Sequence, residues 1–380
     1  MTSEPQETNV TTPTFWTPAL GLTRDFVNRA VAAEEQGWDG VLAPESPKAS
    51  PDPYIDLALA ARETSTIRLG TGVTIPAPRI AIAMANAAAV VQDVSAGRFV
   101  IGLGRGDSGQ AHLGMAPVPV PWFERYVTRL QAYLRGESVP HDLQLDGAGG
   151  AIPAVTALGM VDYPETSRLA WLPKDLPKVP VTIATTGPRM IRLAARIGDG
   201  VLLAVGAEPS RLTTAIDAVR AARAEAGLGE LPFSIGAYVI VIPDADRYRA
   251  RRLASGIVAS FARFTAMHGR SGAALTGNDS SIYQSLHDSY TMRGHMRDGS
   301  PQSAHLTEDF IDRFAIVGPA EECASRLAGL AALGIDRFVC LGPGFGHDPD
   351  DVRRRVAEDV LPAARAATGR RSVMPTAAHL

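Results

Sequence analysis

The chain has 380 residues, of which 46% are hydrophobic, 6% aromatic and 20% charged. This apolar content excludes a disordered or fibrous protein and is enough to bury at least one large core. With 37 Lys and Arg against 40 Asp and Glu, the formal net charge of -3 gives no strong field that would attract nucleic acid or an anionic membrane. We therefore expect a small molecule as the partner.

In chain order, a polar tail over residues 1–14 precedes an alternation of strand-like and helix-like segments. Apolar residues three and four apart predict a helix over 22–36 that ends at Gly37, and a short apolar run predicts a strand over 40–43. The same unit recurs along the chain. The predicted strands cover 15–19, 40–43, 67–74, 99–103, 181–184, 200–205, 234–242 and 337–341, and the predicted helices 22–36, 52–64, 80–95, 123–135, 188–197, 209–226, 245–267 and 350–367.

Short strands that are apolar on both faces and joined by helices predict a parallel sheet, and eight of them favour a closed (β/α)₈ TIM barrel. Two segments interrupt the rhythm. Residues 137–178 are rich in Gly and Pro and suggest an excursion with a hairpin, and residues 268–313 are polar with four histidines. We expect one barrel domain over 15–370 with insertions at 137–178 and 268–313, followed by a tail over 371–380.

The expected compartment and the expected lack of a metal site rest on sequence features that are missing. Only two cysteines occur, Cys323 and Cys340, and no Cys/His spacing typical of a zinc site is present. The polar N-terminus lacks the basic and apolar regions of a signal peptide, and the most apolar stretch, residues 81–91, is too short to cross a bilayer. We expect a cytoplasmic protein without a metal or a membrane span.

Because the chemistry of a barrel sits at the carboxyl ends of its strands, the residues that follow each strand are the candidates for a site. The fourth strand is followed by Gly104, Arg105, Gly106, Asp107 and Ser108. The glycines let a backbone approach a ligand closely, and the arginine can bind a phosphate or a carboxylate. The pattern lacks the third glycine of the dinucleotide fingerprint. The alternative is a surface turn with a solvated arginine.

The fifth strand leads through Thr185, Thr186 and Gly187 to Pro188 and Arg189 at the start of a helix. Two hydroxyls beside a helix N-terminus favour a phosphate site. The alternative is an ordinary threonine N-cap.

Single residues complete the candidate set. Glu45 follows the second strand and can exchange a proton or orient a substrate if burial raises its pKa, although it can equally be solvated. Trp16 near the first strand and His112 beyond the fourth are candidates for substrate contact, although core packing is the commoner fate of a tryptophan. Gly72 after the third strand is consistent with a bulge or a turn.

Several segments together resemble a known family. PDPYIDLALAARET (51–64), IRLGTGVT (67–74), SAGRFVIGLGRGDS (95–108) and VPVTIATTGP (179–188) are similar to the bacterial-luciferase-like flavin and deazaflavin oxidoreductases. They are most similar to the methylenetetrahydromethanopterin reductase group, which uses coenzyme F420. The resemblance covers about residues 20–365.

The resemblance implies a TIM barrel with a large tricyclic cofactor at its carboxyl-terminal mouth. It implies that Gly72 and Val73 form the non-prolyl cis peptide behind the cofactor ring, and that residues 104–108 and 185–189 hold the cofactor tail and its phosphate. Glu45 matches an acidic residue near the reacting ring. Ile75 and Ile80 stand where relatives often carry Asn and His, which argues against methanopterin as the substrate. A homodimer is implied as well.

We therefore predict an oxidoreductase that passes a hydride between coenzyme F420 and a small organic substrate, with Glu45 as acid/base and residues 268–313 as a lid. The first alternative is an FMN-dependent monooxygenase that uses O₂ and reduced flavin from a separate reductase. The second is a catalytically silent barrel that binds a ligand and has an obstructed mouth.

Overall fold

Eight parallel strands close into a barrel in this computed structural model, which describes residues 12–146, 151–266 and 277–369. The strands are β1 (Thr14–Pro18), β2 (Gly40–Ala43), β3 (Arg68–Thr71), β4 (Phe99–Leu103), β5 (Val139–Pro140), β6 (Thr166–Ser167), β7 (Val181–Thr185), β8 (Gly200–Leu203), β9 (Ser234–Pro243), β10 (Ile316–Gly318) and β11 (Arg337–Leu341). The barrel order is β1-β2-β3-β4-β7-β8-β9-β11, and β11 pairs with β1 in parallel to close it. The TIM-barrel prediction is confirmed.

Helices cover the outside of the barrel. They are α1 (Thr23–Glu35), α2 (Pro53–Glu63), α3 (Ala81–Val94), α4 (Ser108–Ala111), α5 (Val120–Leu134), α6 (Leu143–Asp146), α7 (Pro188–Ile197), α8 (Pro209–Glu225), α9 (Arg247–Ala266), α10 (Gly277–Ser289), α11 (Glu308–Phe314), α12 (Ala320–Ala331), α13 (Pro349–Arg355) and α14 (Leu361–Ala367). Among the described residues, none of these helices is long and apolar enough to span a bilayer.

Local chemistry explains where several elements begin and end. Asp52 caps α2 by accepting a hydrogen bond from the Tyr54 amide at 2.9 Å. The predicted final helix is interrupted by a π-helical turn over Val356–Val360. Pro362 follows that turn, and because proline has no amide hydrogen the regular hydrogen-bond ladder cannot run through it.

Two differences from the predicted strands stand out. The third strand ends at Thr71 rather than residue 74, and the peptide bond Gly72–Val73 just beyond it is cis. The short strand β10 was not predicted, and it pairs with the far end of β9. Three residues carry too little periodicity for a sequence pattern to identify.

The interrupting segments contain short elements. Residues 137–178 include the antiparallel pair β5 and β6, and the later segment includes α10 and most of α11. Residues 267–276, with His268, and most of both predicted tails lie outside the described residues. Lid closure by residues 268–313 stays a prediction.

Helix α9 lies across the carboxyl-terminal mouth of the barrel. Near its start, the carbonyl of Leu253 accepts a hydrogen bond from the Gly344 amide, just beyond β11. Phe261 packs on Tyr238 of β9 with ring centroids 5.7 Å apart. At its other end the carbonyl of Phe264 accepts a hydrogen bond from Thr186 after β7. This helix therefore brings side chains of its own to the mouth.

Candidate active site

The predicted site loops meet at one edge because the carboxyl ends of parallel strands converge there. The loop after β2 carries Glu45, that after β3 the cis peptide Gly72–Val73, that after β4 residues 104–108, and that after β7 residues 185–189. The cis geometry lies where the resemblance implied it.

Glycines at the end of β4 and just beyond it allow close packing against the end of β3. A Cβ on Gly104 would lie 2.9 Å from a methyl group of Val73, and one on Gly102 would collide with the carbonyl oxygen of Thr71. Gly106 has a φ of +82°, and a Cβ there would meet the side chain of Gln110. Close packing against the end of β3 therefore explains Gly102 and Gly104, and the positive φ with the contact to Gln110 explains Gly106.

Glu45 is 7% exposed, and protein donors surround its carboxylate. The Ile75 amide donates to Oε2 at 3.0 Å, the Thr74 hydroxyl donates to the same oxygen, and Arg79 forms an ion pair with Oε1. Arg79 also pairs with Asp52. The carboxylate therefore holds the backbone just after the cis peptide, and its acid/base role stays a prediction.

Arg79 is fixed by further contacts. Its guanidinium carbon lies 5.0 Å from the ring centroid of Tyr54, and its carbonyl accepts a hydrogen bond from the Tyr126 hydroxyl at 2.7 Å. Burial raises the pKa of the Tyr54 phenol, and the negative charge of Glu45 acts in the same direction while Arg79 opposes it.

The ends of β4 and β7 carry the opposite balance of charge. The pKa of Arg105 is lowered, first by burial and then by the positive charge of Arg189, and Asp107 opposes this effect. Asp107 also forms an ion pair at 3.3 Å with Arg263 of α9. Among the described residues, Arg105 and Arg189 have no acidic group within 4 Å. Asp107 thus lies near both Arg105 and Arg263, and Arg189 is close enough to Arg105 to lower its pKa.

Polar groups of the turn after β7 face the same region. Gly187 is the N-cap of α7 and Pro188 its first residue, and no side chain caps the helix. Thr186 donates instead to the carbonyl of Phe264 at 3.3 Å. The hydroxyl of Thr185 is buried without a hydrogen-bond partner among the described residues. The threonine N-cap alternative is therefore wrong.

The two predicted substrate residues lie in different surroundings. Trp16 is 1% exposed and packs inside the barrel against Gly40, with the guanidinium of Arg337 4.9 Å from its ring centroid. Because Gly40 and Arg337 begin their strands, this position is on the side away from the mouth. His112 is half-buried beside His295, with ring centroids 6.5 Å apart. Only His112 is placed to meet a ligand at the mouth.

Three residues near the mouth were missed by sequence reasoning: Arg263, Tyr290 and His295. They come from α9 and the segment after α10, far along the chain from β4. No motif spacing connects them. Elsewhere, Cys323 and Cys340 are free and buried, and the described residues hold no group of three His, Cys, Asp or Glu that could bind a metal.

Comparison with known proteins identifies the family. Residues 8–337 match the luciferase-like monooxygenase family. The 5,10-methylenetetrahydromethanopterin reductase of Methanolobus tindarius is 25% identical over 87% of this chain and 94% of its own. The F420-dependent glucose-6-phosphate dehydrogenase of Beutenbergia cavernae is 26% identical over 90% of this chain and 94% of its own.

A solved structure agrees in fold. The coenzyme F420-dependent tetrahydromethanopterin reductase of Methanopyrus kandleri superposes with a TM-score of 0.69 at 20% identity, over 93% of this chain and 99% of that one. The chain belongs to the luciferase-like monooxygenase family and is an oxidoreductase of the luciferase-like type. This assignment does not favour the catalytically silent barrel.

Proposed function

We propose that this protein passes a hydride between coenzyme F420 and a small organic substrate. The observation that supports the proposal is the group of positive charges at the ends of β4 and β7, where Arg189 lies near Arg105, and Arg263 pairs with Asp107 beside them. An anionic ligand would relieve the repulsion between these groups. F420 appears in the names of the Beutenbergia and Methanopyrus relatives.

The residues present suit the anionic tail of such a cofactor. Arg105 and Arg189 supply guanidinium donors, and the uncapped N-terminus of α7 supplies backbone amides. The unpartnered hydroxyl of Thr185 and the loop 104–108 complete this set. When bound, the deazaflavin supplies the hydride chemistry. The protein binds it, orients it against the Gly72–Val73 peptide and excludes water.

Glu45 is the proposed acid/base residue for this reaction. A test of this role must separate the loss of proton transfer from displacement of the loop that Glu45 holds. Because its carboxylate also holds Thr74 and the Ile75 amide, a variant can lose activity through displacement of the loop. E45Q keeps the shape of the side chain. A fall in turnover without a fall in cofactor affinity supports the proton-transfer role, and unchanged turnover removes it.

The cofactor assignment is tested by titrating the purified protein with F420 and with FMN. We expect F420 to bind, and R105A to weaken its affinity by about 10- to 100-fold, since it removes a hydrogen bond to a charged group. T186A should weaken the affinity less, because the Thr186 hydroxyl donates to the Phe264 carbonyl and holds the turn in place. The control is R192A, because Arg192 lies on the exposed face of α7 and pairs with Glu225. Unchanged affinity in R105A and T186A would contradict the phosphate assignment.

An FMN-dependent monooxygenase is the second candidate, and the description of the matched family favours it. The same arginines suit the phosphate of FMN. This candidate uses O₂ with reduced flavin from a separate reductase. Tight FMN binding without F420 binding, together with O₂ consumption in the presence of reduced FMN, would replace the first proposal. The homodimer and the cytoplasmic location stay predictions for either candidate.

A further inference from the structure

The segment after α10 brings a tyrosine and a histidine over the mouth, and neither has a part in the function proposed above. The hydroxyl of Tyr290 is hydrogen-bonded to Nδ1 of His295. Tyr290 and His295, called the tyrosine–histidine pair below, lie beside α9, where the Tyr290 hydroxyl is 3.2 Å from the hydroxyl of Ser260.

The contacts of Ser260 restrict the positions of the hydrogens. Its hydroxyl donates to the carbonyl of Gly256 at 3.2 Å and accepts a hydrogen bond from the Met296 amide at 2.8 Å. Because its one hydrogen is used, Ser260 can only accept from Tyr290. The Tyr290 proton therefore has two acceptors, the hydroxyl of Ser260 and Nδ1 of His295.

Charged and titratable groups face the pair from the elements around it. His112 approaches His295 edge-on from the β4 loop, with ring centroids 6.5 Å apart. From α9, the guanidinium carbon of Arg263 lies 4.3 Å from the ring centroid of Tyr290, and Arg263 also pairs with Asp107. The pair thus borders the loop proposed to hold the cofactor.

The surroundings keep the imidazole neutral. Burial, followed by the positive charges of His112 and Arg263, lowers the pKa of His295 to about 4. A neutral imidazole carries one proton, and when Nδ1 accepts from Tyr290 that proton is on Nε2. Burial raises the pKa of Tyr290, while Ser260 and Arg263 oppose this effect. Nε2 is then the ring atom that can donate a hydrogen bond.

We propose that the tyrosine–histidine pair is a proton relay for a substrate with a carbonyl or hydroxyl oxygen at its reacting carbon, and that Nε2 of His295 contacts this oxygen. The proposal rests on the proposed function, which supplies the hydride, and it assigns the proton for the substrate oxygen to His295 in place of Glu45. It narrows the substrate class to ketones and aldehydes, or to the corresponding alcohols.

The step is balanced in atoms and electrons. As hydride adds to the carbonyl carbon, the π electrons move to the oxygen, which takes the proton from Nε2 of His295. The Tyr290 proton moves to Nδ1, and the resulting tyrosinate lies beside the guanidinium of Arg263. Reduced F420 would give up the hydride and release a proton to water on its two-electron oxidation, and water returns a proton to the tyrosinate. Oxidation of an alcohol runs through the same transfers in reverse.

The test uses the full-length protein with reduced F420 and a panel of acetone, cyclohexanone and acetaldehyde. Y290F and H295Q remove the relay, and Y248F and H305Q are the controls because Tyr248 and His305 are exposed and remote from the pair. We expect all four variants to bind F420 within twofold of wild type. Turnover should fall at least about 100-fold in Y290F and H295Q and remain unchanged in the controls.

A second readout is independent of activity. In protein labelled with ¹⁵N-histidine, we expect the His295 signal, assigned by its loss in H295Q, to report a proton on Nε2. That preference should weaken in Y290F and persist in Y248F.

The outcomes separate this inference from the proposed function. Wild-type turnover in Y290F and H295Q, or a proton on Nδ1 of His295 in wild type, overturns the relay. If wild type binds F420 but reduces no member of the panel, the relay proposal is wrong and the cofactor assignment is retained. If F420 does not bind, the relay proposal and the proposed function are both wrong.

Discussion

The two halves of the barrel mouth differ in whether their charged side chains have partners of opposite charge. After β2 and β3, Glu45 is surrounded by donors from its own protein, and Arg79 neutralises it. After β4 and β7, Arg105 and Arg189 have no acidic partner within 4 Å among the described residues. A charge whose partners lie within the chain stabilises the fold, whereas charges in excess favour a ligand of opposite sign. The contacts of the first half support the fold, and the second half is the binding site that we propose.

The largest effect should come from breaking the support. Removing one partner of a buried ion pair leaves the other charge uncompensated, so R79A should lower the free energy of unfolding by about 3 to 5 kcal/mol. Urea denaturation measures this. The control is R196A, whose pair with Glu124 is exposed and should contribute less than about 1 kcal/mol. If R79A lowers the free energy of unfolding by less than about 1 kcal/mol, the Glu45–Arg79 pair contributes no more than an exposed ion pair. That result would contradict the difference drawn between the two halves.

A pair of buried threonines sharpens the comparison. The Thr71 hydroxyl donates to the carbonyl of Gly102 at 2.8 Å and accepts from its amide at 2.9 Å, whereas the Thr185 hydroxyl has no partner among the described residues. T71V should therefore cost about 1 to 3 kcal/mol, and T185V less than about 0.5 kcal/mol, in the ligand-free protein. The free energy of unfolding of both variants, measured by chemical denaturation, tests this prediction. An equal loss would show that Thr185 is also satisfied within the fold.

A smaller effect is expected at Glu34, a carboxylate outside the mouth that is also satisfied by its own chain. Its Oε1 accepts hydrogen bonds from the amides of Ser65 at 3.0 Å and Ile67 at 2.8 Å. Burial alone would raise the pKa of Glu34, but hydrogen bonds from the backbone of Thr66 and Ile67 outweigh it and lower the pKa below 4.5. E34Q should cost about 1 kcal/mol at pH 7.

The sign of the pH dependence follows from that direction. A carboxyl group with a lowered folded pKa stabilises the protein above its unfolded pKa, and this stabilisation is lost as the pH falls through the folded value. The difference between E34Q and wild type should therefore be constant from pH 7 to 5 and shrink below 4.5. E35Q, at the exposed neighbouring residue, should show no such change. A difference that grows in acid would contradict the assigned cause.

Much of the fold could be predicted because barrel elements are locally encoded. The apolar runs at 40–43, 99–103 and 337–341 are strands with those same bounds, and the helix over 188–197 is also as predicted. Side-chain periodicity and helix-stop residues act over a few neighbours. Placement of Glu45, Arg105 and Thr185 near strand ends follows from the same local signals. The β10 strand was missed because its pairing with β9, not its own pattern, defines it.

The sequence by itself determined the alternation of strands and helices, the loops that reach the mouth and the family. Only the tertiary structure decided the partners: Arg79 for Glu45, Arg263 for Asp107, and Tyr290 for His295 beside His112. The physical reason is that barrel closure joins residues as far apart as Thr14 and Asp336, 322 positions along the chain, and that α9 brings Arg263 to Asp107, 156 positions away. No local pattern carries that information, so whether a charge is satisfied or available to a ligand emerges only in the folded chain.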